Sequence, residues 1–302
     1  MPLRRILAAC ALATAALAPV GPPAAAAVLD VVATAPSLGA LVRELGGDRI
    51  ALKVLASPDR DLHALQAKPT MIHALSRADL VVAIGAELEV GWLPAALASA
   101  ANPRILPGQP GYFEAAAQVK LLDTGGAADR ALGDVHPVGN PHVDLDPVRM
   151  AAIGQALAGR LGQLDPAGAG QYRERANAFA AKVDARVEAW RKQLAGAPGV
   201  VLYHRDALYL LDRFGVPLLG VLEPVPGVPP TGRQISDLAG ALKGRRGVIL
   251  YAPYQSPQSA EGLAQALGWS AQKLPLEPPA DAGGEAYLAH IGRWVDTISG
   301  AR

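Results

Sequence analysis

The chain has 302 residues, with 28 basic against 27 acidic side chains and a formal net charge of +1. That balance offers no basic stripe of the kind nucleic acid requires, so no nucleic-acid partner is expected. One cysteine among 302 residues excludes a disulfide framework.

Residues 1–27 have the order of a secretory leader. Arg4 and Arg5 give a positive start, residues 6–20 are an apolar run, Pro22 and Pro23 break it, and small alanines fill 24–27. The run is shorter than the roughly 20 apolar residues a spanning helix needs. Cleavage is expected near Ala27, giving an exported, periplasmic, soluble and monomeric protein. Leu7-Ala8-Ala9-Cys10 also fits a lipoprotein box, which is the lesser alternative because the apolar run continues past it. With Cys10 removed, a metal has only nitrogen and oxygen ligands available.

Short apolar runs at 28–34, 50–55 and 80–84 read as buried strands, separated by helical segments at 37–45 and 70–78. A further helix starts at Val148. Residues 166–194 carry Tyr172, Ala176, Phe179, Val183, Val187 and Trp190 at intervals of three and four, the stripe of a long amphipathic helix. Beyond it the alternation resumes: strand 199–203, helix 206–214, extended run 216–222, helix 235–242, strand 247–251, helix 259–267 and helix 286–298. Strands alternating with helices at this spacing predict an α/β fold with parallel sheets. The organisation expected is a leader (1–27), an N-terminal lobe (28–164), a linking helix (165–196) and a C-terminal lobe (197–302).

Six histidines are present. His63 follows the second strand, His142 sits in a loop leading into a helix, and His204 directly follows the strand ending at Tyr203. Ligands in open α/β sheets gather beyond the carboxyl ends of strands, so these three suggest one nitrogen-rich site fed from both halves. Neutral imidazoles suit zinc and other first-row metals, with a carboxylate to complete four-coordination. His136, six residues before His142, is a candidate auxiliary ligand; His73 and His290 are assigned structural or solvated roles. Asp61, Asp144 and Asp146 are candidates to orient ligand imidazoles, although Asp146 before Pro147 also suits a helix cap. Glu87 and Glu89 are expected to be solvated.

Several segments, taken in order, resemble the TroA-like (cluster A-I) periplasmic metal-binding proteins of zinc and manganese ABC importers. They are Asp61-Leu62-His63 before an Ala-Lys-Pro turn, Gly139-Asn140-Pro141-His142 with Leu145-Asp146-Pro147, Tyr203-His204 with Tyr209 and Phe214-Gly215-Val216, and Glu223-Pro224 before Pro230-Thr231. The resemblance spans about Val28 to Ile298. It implies two βα lobes joined by a rigid helix, zinc (Zn2+), with manganese (Mn2+) possible, as the transported ion, and a membrane permease as partner. It also implies His63, His142 and His204 as ligands. The family's acidic fourth ligand lies in a Leu-Asp-Pro segment, and Leu276-Glu277-Pro278 stands in that place, so Glu277 is the candidate; Asp281 or water are the alternatives. No enzymatic activity is expected. The rival readings are a secreted zinc hydrolase and a siderophore- or vitamin-binding protein. The first lacks a His-Glu-x-x-His helix and a Gly-x-Ser-x-Gly elbow in this sequence; the second does not require three histidines at strand ends.

Overall fold

The computed structural model describes residues 28–125, 136–223 and 228–301. The leader with its cleavage point near Ala27, Cys10, and Pro224 of the Glu223-Pro224 pair lie outside the described residues.

Two four-stranded parallel sheets organise the chain. The first contains β1 (Leu29–Ala33), β2 (Ile50–Val54), β3 (Leu80–Ala83) and β4 (Tyr112–Glu114) in the order β2-β1-β3-β4. The second contains β5 (Gly199–Leu202), β6 (Leu218–Val221), β7 (Gly247–Tyr251) and β8 (Ser270–Lys273) in the order β6-β5-β7-β8. The two orders are the same pattern shifted by four strands. The inner strands β3 and β5 are buried at every residue, as parallel strands covered on both faces must be, and their continuous Val/Leu runs follow from that.

Helices α1 (Pro36–Gly46), α2 (Pro69–Arg77) and α3 (Leu93–Ala100) belong to the first half, and α4 (Pro147–Leu164) follows. All four start with proline in the first turn, where its missing N–H has no intrahelical acceptor to lose. Asp146 caps α4 by accepting the Val148 N–H at 3.0 Å. The long helix α5 (Ala169–Leu194) spans about 39 Å at 1.5 Å per residue. Its expected stripe is buried at Tyr172, Ala176, Phe179, Val183 and Trp190. A 3-10 turn at Pro166–Gly168 precedes it, so the helix begins three residues later than the periodicity suggests.

The second half adds α6 (Leu208–Phe214), α7 (Gly232–Leu242), α8 (Pro257–Leu267) and α9 (Gly284–Gly300). A capping box between Thr231 and Gln234 starts α7. Helix α9 does not stay with the second sheet. It packs on α5 and α1, burying Tyr287, Leu288, Ile291, Trp294, Val295 and Ile298. Polar ties follow the same route: the Gly284 N–H donates to Glu44 at 3.1 Å, Lys182 reaches Glu44 at 2.8 Å, and Arg186 reaches Glu285 at 2.6 Å. Among the described residues no helix is long and apolar enough to cross a membrane.

Candidate metal centre

His63 is delivered by the loop after β2, and that loop is held at three points. Trp92 Nε1 donates to the Leu62 carbonyl at 2.9 Å, and Gly91 sits against the His63 carbonyl, where a Cβ would come within 3.2 Å. The Asp61 carboxylate accepts both the His63 backbone N–H and its ring Nδ1, each at 2.9 Å. Asp61 therefore does what the sequence suggested: it fixes the ring and leaves Nε2 facing the cleft. Burial pushes the Asp61 carboxyl up, but the His63 hydrogen bonds and charge, helped by His204, hold it below its ordinary value.

His142 lies just before a 3-10 turn, Val143–Leu145, that leads into α4. Its backbone N–H donates to Asn140 Oδ1 at 2.9 Å, and Asn140 Nδ2 donates in turn to the Arg205 carbonyl at 2.9 Å. Tyr209 donates its hydroxyl to the Asn140 carbonyl at 2.6 Å. The His142 loop is thus tied to the turn beside His204, which extends from the end of β5. His142 Nε2 is buried with no hydrogen-bond partner. Burial, with the neighbouring His63, His204 and His136, pushes the imidazole well below its ordinary value, so at neutral pH it is the neutral form that metals bind.

The three rings converge. Their centroids are 5.2 Å (His63–His142), 5.9 Å (His63–His204) and 5.6 Å (His142–His204) apart. One ligand nitrogen from each lies within 4.8 Å of the other two. Among the described residues this is the set of histidine, cysteine and acidic groups close enough to share an ion. His136 also faces the cluster, with its Nε2 3.1 Å from His63 Nε2. His73 is exposed on α2. His290 is buried on α9, where Nε2 lies 2.9 Å from the Leu276 carbonyl and so steadies the segment carrying Glu277.

Glu277 is not part of the three-nitrogen set. It is buried, it accepts the Ser37 N–H at the start of α1 at 2.7 Å, and it shares a hydrogen bond with the Asp144 carboxyl. Burial and the facing Asp144 charge push Glu277 well above its ordinary value; burial likewise raises Asp144. Two buried carboxyls in contact are held together by a shared proton. The pair borders a cavity of about 20 Å³ that also touches His63 and His142. Asp281, the alternative, is exposed.

Asp146 is a helix cap: it accepts the Val148 N–H at the start of α4 and binds Arg149 and Arg213. Glu89, expected to be solvated, is buried instead, accepting from the Thr34 hydroxyl at 2.6 Å and from the Ile84 and Gly85 N–H groups. The turn after β3 curls its amides inward, and a carboxylate is what satisfies them.

One carboxylate of the cleft was not singled out in the sequence. Asp206 lies in the 3-10 turn Arg205–Ala207, two positions after His204, and is 5 % exposed. Its Oδ1 stands 3.5 Å from His142 Nε2. With His63, His204, Asp61 and Glu223 it lines a cavity of about 300 Å³. Burial lifts its carboxyl to about 7 despite the Gln255 hydrogen bond. An acid opening a helix resembles an ordinary N-terminal residue, and only the neighbouring His204 marked it.

A pair of parallel sheets spanned by a long helix, with clustered imidazoles in the cleft, defines the class of solute-binding proteins that enclose a metal ion. The chain belongs to the family described as ZnuA, zinc-uptake complex component A, periplasmic, whose model matches residues 31–301. A metal ABC transporter substrate-binding lipoprotein, ScbA of Streptococcus cristatus, is 23 % identical over 222 residues, covering 71 % of this chain and 68 % of its own. The high-affinity zinc uptake system protein ZnuA of Paracoccus denitrificans is 38 % identical over 91 residues, 30 % of this chain and 26 % of its own length. Among solved structures, the solute-binding protein FpvC of Pseudomonas aeruginosa in complex with Mn2+ is 26 % identical, with a TM-score of 0.75 and coverage of 91 % of this chain and 98 % of that one.

Proposed function

We propose that this protein captures zinc between its two halves, using His63, His142 and His204, and presents it to the membrane permease of an ABC importer. The observation that carries the reading is the convergence of three ligand nitrogens within 4.8 Å from separate loops. Two come from the first half and one from the second, so an ion held by all three cross-links them. The stack of α1, α5 and α9 restricts the closure that follows to a small movement, and the permease distinguishes loaded from empty protein by it. The role is binding, without bond-making chemistry. Imidazole-rich coordination favours zinc over the harder manganese ion. Manganese is the second reading, supported by the manganese complex of FpvC.

Competitive titration of the purified protein with Zn2+ and Mn2+ tests this. The expected result is a one-to-one complex with zinc preferred. His63→Ala, His142→Ala and His204→Ala are each expected to lower zinc affinity by at least about 100-fold, since even outer partners of ligands are worth 10–100-fold. Affinities unchanged in all three variants would overturn the assignment.

A further inference from the structure

Resting on the zinc-capture reading, we infer that the fourth ligand is the carboxylate of Asp206, from the same turn as His204, rather than that of Glu277. His142 presents a buried Nε2 with no hydrogen-bond partner, and the group that faces it is Asp206 Oδ1 at 3.5 Å. That separation is too long for a good hydrogen bond. It matches one edge of a tetrahedron: ligand atoms about 2.0–2.1 Å from a shared zinc stand about 3.3–3.4 Å apart. Asp206 lies outside the three nitrogens that stand within 4.8 Å of one another, but it shares the 300 Å³ cavity with the other two imidazoles, His63 and His204.

The second oxygen is occupied in a way that leaves the first available. Asp206 Oδ2 accepts Gln255 Nε2 at 3.1 Å, and Gln255 is itself fixed by accepting the Ala252 N–H through Oε1 at 2.6 Å. A ligand carboxylate anchored through one oxygen by an outer amide is the usual construction of a metal site. Charge points the same way. Three neutral imidazoles bring no charge of their own to a buried dication, and an isolated buried charge is costly; Asp206 beside His142 adds a carboxylate to the one that Asp61 places behind His63. Glu277, by contrast, has its oxygens committed to the Ser37 N–H and to Asp144. Ligation through Asp206 gives a two-plus-two site: His63 and His142 from the first half, His204 and Asp206 from the second.

The test uses the chain with Cys10→Ala, which removes its one cysteine. Asp206→Cys and Glu277→Cys are each loaded with Co2+ as a spectroscopic substitute for zinc. A thiolate-to-cobalt charge-transfer band in the near ultraviolet is expected for Asp206→Cys and not for Glu277→Cys; the reverse pattern overturns the inference. Zinc competition gives a second measure in case the cysteine variant does not fold. Asp206→Asn, which keeps an oxygen for Gln255, is expected to weaken zinc by about 100-fold, and Glu277→Gln to stay within about threefold of wild type. If the histidine variants lose zinc while Asp206→Asn does not, Asp206 is excluded and zinc capture stands. If the parent chain itself ignores zinc, both fall.

Discussion

The two halves share a strand order but not a degree of enclosure. In the first, α1 has nine of its eleven residues buried, because β2, α4, α5 and the returning α9 all pack around it. Helix α6, which joins β5 to β6 as α1 joins β1 to β2, has four of its seven residues buried, and the layer beyond it is thinner. Helix α7 also has eleven residues, of which only Leu242 is buried, and it rests on β6 through half-buried contacts such as Leu238 over Gly220. The same topology thus holds a layer braced by α5 and α9 at α1 and an open flank at α7.

Three measurements test that contrast. The largest effect is expected from Leu41→Ala, which empties a site 1 % exposed in the braced layer and is expected to cost about 2–5 kcal/mol in denaturant unfolding. A shift below that range would mean α1 is not the brace. The next effect is a pH dependence seated on α9. Burial, together with the charge of Arg293, lowers His290 from 6.5 to about 4 against the pull of the Leu276 carbonyl. Between those values the unfolded chain takes up a proton that the folded chain refuses, so stability falls as pH drops from 6.5 toward 4. At 1.36 kcal/mol per pH unit the loss totals about 3 kcal/mol. His290→Gln is expected to flatten the unfolding profile across that window, and an unaltered slope would contradict the assignment. The smallest effect belongs to Leu238→Ala in the open flank, expected to cost only about 1 kcal/mol because the leucine is half-buried. A loss as large as that of Leu41→Ala would erase the asymmetry.

Much of this was legible in the residues. Six of the eight strands announce themselves as apolar runs: the four inner ones because they are covered on both faces, and the edge strands β2 and β6 because they keep aliphatic, half-buried residues. The two that were missed, β4 and β8, are the edge strands at the opposite end of each sheet. Tyr112–Glu114 is three residues long, and Ser270–Lys273 is polar and mostly exposed; short or polar strands are how sheets protect an edge. Helix α3 was missed because its leucine-alanine run has no polar face to create a period. The three histidines were found through their positions at strand and loop ends, and their meeting is a product of the topology that puts those ends together. Glu277 and Asp206 were harder, since which carboxylate faces the imidazoles depends on side-chain partners such as Ser37, Asp144 and Gln255, drawn from remote elements.

The return of α9 to α1 and α5 also governs the order in which the molecule can be completed. The apolar faces of those two helices are made early in synthesis, yet their cover is made last. Until Trp294 and Ile298 dock, the N-terminal half carries a bare hydrophobic groove, a surface that invites aggregation or a chaperone. A chain cut short before Gly284 would keep every histidine of the cleft and still lack a sealed frame to hold them.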